Sequence, residues 1–252
     1  MGKIDDIQAY KEWTEYHRSL KRDKAADNLS PVERKKKLEK LEANVIEWIL
    51  FFFSEFAKYP FTKFHKKAIK RITTNMEWYE VLSWSRELAK STIVFMCMMY
   101  LVLTGKKKNV LLISNSHENA VRLLEPYKKA FESNSMLKAY YGDLREFGSW
   151  TADEFTLTTG ATFRAIGALE SPRGTRKDAV RPDTALVDDF DTDADCRNPD
   201  ILKKKWEWFE EALFPTRSIS EDLLVIFCGN LIALDCCVKR AGDKADHWDI
   251  VN

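Results

Sequence analysis

Three short groups of residues have the types and spacing for phosphate chemistry. The first is Lys90-Ser91-Thr92, at the point where the apolar, aromatic run Trp78–Trp84 gives way to the helix-length apolar segment Ile93–Leu103. A strand, a tight loop and a Lys-Ser pair opening a helix can cradle phosphate oxygens on backbone N–H groups. The lysine then reaches the outer phosphates and the hydroxyl ligates Mg²⁺. The second group is Asp188-Asp189, closing the short apolar run Thr184–Val187, with Asp191, Asp193 and Asp195 close behind. Adjacent acids at a strand end splay apart, so one can hold a cation through its water shell while the other polarises an attacking water. The third is Gly229-Asn230, after the apolar run Leu223–Cys228. A polar amide there can hydrogen-bond a terminal phosphate or the lytic water.

Each group also has a plainer reading. The general phosphate-loop pattern would put glycines at positions 84 and 89, where this chain has Trp84 and Ala89. Ser85 as an ordinary helix cap, with Lys90 in solvent, accounts for the first group. A loop capping a helix near Pro199 accounts for the acids, and a strand end with a turn accounts for Gly229-Asn230. What distinguishes the readings is whether the three groups meet.

The intervening elements favour a meeting. Asn109–Ser114 reads as a second buried strand, ending in polar Ser114-Asn115-Ser116 and followed by a helix from about Glu118 to Phe131. Strand, helix, strand, helix implies right-handed crossovers and a parallel sheet, whose ligands sit at the carboxyl ends of strands. Phe155–Ile166 alternates around Thr159-Gly160 and predicts a β-hairpin, followed by a loop from Gly167 to Pro182 bearing glycine and arginine. Residues 1–58 read as helical. Ser30-Pro31-x-Glu33 starts a helix expected to run to about Lys58, basic at first and then apolar and aromatic. Tyr59-Pro60-Phe61 breaks it, and Thr62 opens another helix before the first strand.

Composition sets outer limits. A chain of 252 residues can bury one sizeable core, or one core plus a small helical appendage. The net charge of +1 supplies no global field, so any contact with nucleic acid must come from local patches. Met1–Asp27 is polar and charged, unlike a signal peptide, and the apolar runs are too short to span a membrane. Five cysteines without a C-x-x-C pair predict reduced thiols and no zinc site.

The wording of the first group goes further. Ser85-Arg86-Glu87-Leu88-Ala89-Lys90-Ser91-Thr92 resembles the deviant phosphate loop of large terminase subunits, the DNA-packaging ATPases of tailed bacteriophages. Tyr59, Phe61 and His65 are similar to the adenine-recognition segment of that family, although the glutamine common there is absent. Arg-Gly at 173–174, Arg181-Pro182-Asp183 and the acid pair resemble its next motifs, and Gly229–Asp235 resembles its coupling motif.

The resemblance implies an α/β P-loop NTPase of the additional-strand (ASCE) class. Its sheet would be mostly parallel, with residues 1–58 a helical extension and 59–252 the ATPase domain, the family's C-terminal nuclease domain being absent. ATP and Mg²⁺ would be the cofactors. Residues Ser85 to Thr92 would hold phosphate, Ser91 and Asp188 the metal. Asp189 would be the catalytic base, with Arg86 bracing the γ-phosphate and Asn230 coupling turnover to movement. Implied partners are double-stranded DNA, a portal protein, a small terminase subunit and sister copies in a ring. An arginine from a neighbour (Arg173, Arg176 or Arg181) would complete each site, the isolated chain being monomeric. The implied setting is the host bacterial cytoplasm, transiently at the procapsid portal. Two other readings stand beside this one: a metal-dependent nuclease built on Asp188 to Asp195, and a non-catalytic assembly module.

Overall fold

Both faces of a parallel sheet must be covered, so its strands are apolar on both sides, and Asn109–Ser114, Thr184–Asp188 and Leu224–Cys228 are buried along their whole length. The computed structural model describes residues 29–57, 59–171, 181–216 and 222–251. Chain order begins with α1 (Pro31–Glu42), α2 (Val45–Phe52), α3 (Lys63–Thr74), β1 (Trp78–Trp84), α4 (Lys90–Leu103), β2 (Asn109–Ser114), α5 (His117–Ser133) and α6 (Ser135–Tyr141). The strands β3 (Arg145–Trp150), β4 (Glu154–Leu157), β5 (Thr162–Gly167) and β6 (Thr184–Asp188) follow. After them come α7 (Asp193–Cys196), α8 (Pro199–Glu207), a π-helical turn (Trp208–Leu213), a 3₁₀ turn (Phe214–Thr216), β7 (Leu224–Cys228), α9 (Cys237–Gly242) and β8 (His247–Val251).

Among the described residues, eight strands form one sheet in the order β3-β4-β5-β2-β6-β7-β1-β8. From β5 to β8 every neighbouring pair is parallel, and β3-β4 and β4-β5 are antiparallel. Side chains alternate between two cores. Leu82, Leu112, Leu186 and Ile226 face the larger one, with α2, α3, α4 and α5. Val81, Ile113, Val187 and Phe227 face the smaller one, with α8, the π-helical turn and α9. The register carries the functional consequence. Ile113 pairs with Val187, Asp188 with Cys228, and Cys228 with Leu82, so the carboxyl ends of β2, β6, β7 and β1 share one edge.

The opposite edge is tied by a buried lysine. Lys107 Nζ donates to the carbonyls of Met76, Asp183 and Asp222 at 2.9–3.0 Å, joining the chain entering β1, β6 and β7. Those carbonyls would otherwise be unsatisfied in the interior.

The helix expected to run from Pro31 to about Lys58 is in fact two, ending at Phe52. Asn44 turns extended (φ −133°), accepts from the Ile46 and Glu47 amides, and donates to Glu47 Oε1. A reciprocal Asn/Glu cap therefore starts a new helix inside the apolar run. The turn lets α2 place Trp48, Ile49, Phe51 and Phe52 in the same core as α4. The expected hairpin is present as β4-β5, and its second strand also pairs parallel with β2, well inside the sheet. Strands β3 and β8 join at the two ends without having been anticipated. All five cysteines are free thiols. Among the described residues no helix is long and apolar enough to cross a membrane.

Candidate active site

The loop between β1 and α4 reaches its shape without the glycines the general pattern would supply. Glu87 (φ 71°) and Ala89 (φ 57°) both adopt the left-handed conformation, which costs an L-residue with a Cβ roughly 1–2 kcal/mol. Ala89 is also the cap position of α4, and no side chain caps that helix. Its first N–H groups, with the positive end of the helix dipole behind them, are left to an anion. Ser85 does not act as a cap. Its amide donates to Val251 O at 2.8 Å, extending the ladder between β1 and β8.

Lys90 and Ser91, the first two residues of α4, reach the ends of two other strands. Ser91 Oγ donates to Asp188 Oδ2 at 2.6 Å, across 97 positions of sequence. Lys90 Nζ donates to Asn230 Oδ1 at 3.3 Å. The second carboxylate oxygen of Asp188 accepts from the Asp189 amide at 3.1 Å. Asp189 is itself left-handed (φ 47°), a conformation Asp and Asn tolerate better than most residues. Its carbonyl is held by the Asn115 amide (3.3 Å) and the Ser114 hydroxyl (3.5 Å), leaving its carboxylate at the surface.

Two adjoining hollows of about 610 and 380 Å³ open over this edge. Arg86, Ser91, Asp188, Asp189 and Asn230 line both. Ser85, Glu87, Ala89, Lys90 and Thr92 line the smaller one, while Asn115, Asp191 and Asp193 line the larger. Leu88 packs partly into the main core. A serine hydroxyl facing a carboxylate is an oxygen donor set suited to a hard divalent cation.

Tyr59, Phe61 and His65 are not brought to either hollow. Tyr59 is 70% exposed, and Phe61 is buried against the His65 ring. His65 Nδ1 accepts from the Thr62 amide, so its Nε2–H donates to Leu88 O at 3.0 Å, and burial lowers its pKa. The imidazole thus holds the loop by its backbone. Arg181 is exposed; Arg173 and Arg176 lie outside the described residues.

The later acids have separate tasks. Asp195 closes a capping box with Thr192 and pairs with Lys205 Nζ at 2.8 Å, which with backbone hydrogen bonding to Thr192 keeps its pKa low despite burial. Asp191 Oδ2 accepts from the Val238 amide at 3.1 Å, linking the acid loop to α9. Asp193 remains exposed at the rim. Elsewhere, Glu80, His247 and Asp249 have metal-ligand spacing, but the Arg71 guanidinium bonds both carboxylates at 2.6–2.7 Å and makes the cluster an ion-pair network. Asn115, whose amide oxygen accepts from Asn119 at 2.7 Å, is a cleft residue that motif reasoning left without a role.

Burial is the main reason the Asp188 carboxyl is pushed up to about 6. The Asp189 charge adds to the rise, and Ser91 and Lys90 oppose it. The folded state therefore holds this proton more tightly than the unfolded chain, and the stability it contributes is lost as pH rises from about 4 through about 6. In ion-free buffer the wild type should lose stability relative to Asp188→Asn by up to about 1.4 kcal/mol per pH unit across that window. Urea midpoints at stepped pH measure it, and parallel curves for the two proteins would rule out the carboxyl as the cause.

The sequence matches no protein-family model, and no curated protein is significantly similar. Among solved structures, the chain is similar to the HK97 bacteriophage large terminase, with a TM-score of 0.50 at 13% identity. The match covers 77% of this chain and 39% of the terminase, so the chain corresponds to about two fifths of that protein's length. At that identity the likeness is one of fold: a terminase-like α/β arrangement, with a mostly parallel sheet between helices.

Proposed function

We propose that this chain is a Mg²⁺-dependent ATPase of the additional-strand P-loop class, acting as the motor portion of a large-terminase-like DNA-packaging machine. The observation that carries the reading is the 2.6 Å hydrogen bond from Ser91 to Asp188. It joins the start of an uncapped helix to an acid at the end of a different strand, as a shared cation site requires. The strand order supports the class, since β7 lies between the loop strand β1 and the acid strand β6.

In this reading the amides at the start of α4 and the Lys90 ammonium bind the β- and γ-phosphates, with Arg86 bracing the γ-phosphate from the rim. Ser91 and Asp188 would hold Mg²⁺, which when bound would supply positive charge to the phosphates. Asp189 accepts a proton from the attacking water. Asn230 Oδ1 accepts from Lys90, and its amide NH2 would donate to a terminal phosphate, which would make it a reporter of occupancy. The whole machine's partners follow from the same reading: double-stranded DNA, a portal protein, a small terminase subunit and sister copies forming a ring in the bacterial cytoplasm.

Equilibrium binding of a fluorescent ATP analogue is the direct test. Saturable binding that requires Mg²⁺ and is competed by unlabelled ATP is expected. Absence of any such binding would leave the assembly-module reading in its place.

A further inference from the structure

Helix α3 is amphipathic in an unusual sense: its outward face is purely cationic. Lys63, Lys66, Lys67 and Lys70 recur at i, i+3, i+4 and i+7, which places them on one face. All four are exposed, while Ala68, Ile69, Ile72 and Thr73 fill the opposite face against the core. The helix contains no acidic residue. Among the described residues none of the four lysines pairs with a carboxylate, whereas Arg71 on the same helix is committed to Glu80 and Asp249. Lys63 and Lys66 sit near the helix N-terminus, where a cation opposes the helix dipole. These charges therefore do not serve the helix itself.

We infer that this face of α3 is a contact surface for the phosphate backbone of duplex nucleic acid. The four ammonium groups span seven residues, about 10 Å along the helix, against a duplex carrying one charge per roughly 1.7 Å of its axis. Several phosphates lie within reach of the stripe. Within α3 itself no phenyl ring is offered to stack an unpaired base, because Phe64 packs onto Trp84 (5.0 Å between ring centres). That favours a paired backbone over a single strand, which is usually bound by stacking.

Helix α1, which also carries five cationic residues, is differently built. Its lysines are interleaved with Glu33, Glu39 and Glu42, and Lys37 lies over the Phe51 ring at 4.6 Å. With a net charge of +1 on the whole chain, the stripe on α3 is a local concentration and not a sample of a basic surface. The inference gives a surface to the double-stranded DNA named among the partners above, but it does not need the nucleotide reading, since none of the four lysines lines either hollow.

The test is anisotropy of a labelled random-sequence DNA duplex titrated with the full chain, without nucleotide, over a range of salt concentrations. Glutamine has nearly the helix propensity of lysine, so the quadruple variant Lys63→Gln, Lys66→Gln, Lys67→Gln, Lys70→Gln should fold, as circular dichroism and melting will report. It is expected to bind at least about tenfold more weakly, with the log–log salt slope reduced by up to about 3–4. Arginine at the same four positions should restore both, and Lys35→Gln, Lys36→Gln, Lys40→Gln on α1 should change little. Unchanged affinity and slope in the α3 glutamine variant would overturn the assignment. So would an equal loss in the α1 variant, or a wild type that fails to bind duplex at low salt. The assay contains no nucleotide, so failure of the ATPase reading would leave this result standing.

Discussion

Replacing Lys90 with alanine is expected to abolish measurable ATP hydrolysis while leaving the fold in place. Lys90 is the first residue of α4, and its ammonium donates to Asn230 Oδ1 at 3.3 Å. Nothing in the core depends on it. Alanine is the best helix former, and removing a cation from a helix N-terminus relieves an unfavourable dipole contact, so melting temperature should hold or rise slightly. Catalysis should respond in the opposite way. Removing one preorganised donor from a developing anion costs on the order of 10²–10³ in rate, and Lys90 is the cation that the proposed reading puts on the outer phosphates. Steady-state turnover, measured beside thermal melting, separates the two effects. Wild-type rates in a folded Lys90→Ala protein would end the phosphate-loop assignment.

The parts of this site that were legible in the sequence were those carried by period and order. Buried parallel strands are near-continuous apolar runs, so β1, β2, β6 and β7 stood out, each followed by polar residues at the carboxyl end. Loop conformation was not legible. Ala89 and Glu87 adopt left-handed angles that neither residue type advertises, and the fold around them imposes the strain. Strand β8 is five residues long with no strong alternation, and only its parallel pairing with β1 gives it a place. Strand β3 contains Gly148 and is largely exposed, which leaves no hydrophobic signal to read. At Asn44 a signal existed: an Asn three residues before Glu47 is a cap inside an otherwise continuous helical pattern. The tethering of Asp191 to α9 and of Asp195 to Lys205 arises from residues distant in sequence, so a run of acids could not be sorted without the packing.

That sorting bears on the largest mechanistic prediction, that Asp189→Asn and Asp188→Asn will fail differently. Asn is nearly isosteric with Asp and tolerates the left-handed conformation at position 189, so the Asn115 and Ser114 contacts to its carbonyl should survive. What is lost is a proton acceptor at the mouth of both hollows. Turnover should fall by about 10²-fold or more while Mg²⁺-dependent binding of the ATP analogue stays near wild type. Asp188 is buried and receives the Ser91 hydroxyl. Its replacement by Asn removes a charged oxygen ligand, so both turnover and Mg²⁺-dependent binding should weaken. The two measurements on the two variants make a four-way comparison that a general loss of stability would not reproduce. If Asp189→Asn hydrolyses ATP normally, the base is another acid. Asp195 is already held by Lys205, whereas Asp193 is exposed on the same rim and Asp191 uses only one carboxylate oxygen, on the Val238 amide, so these two are the residues to replace next.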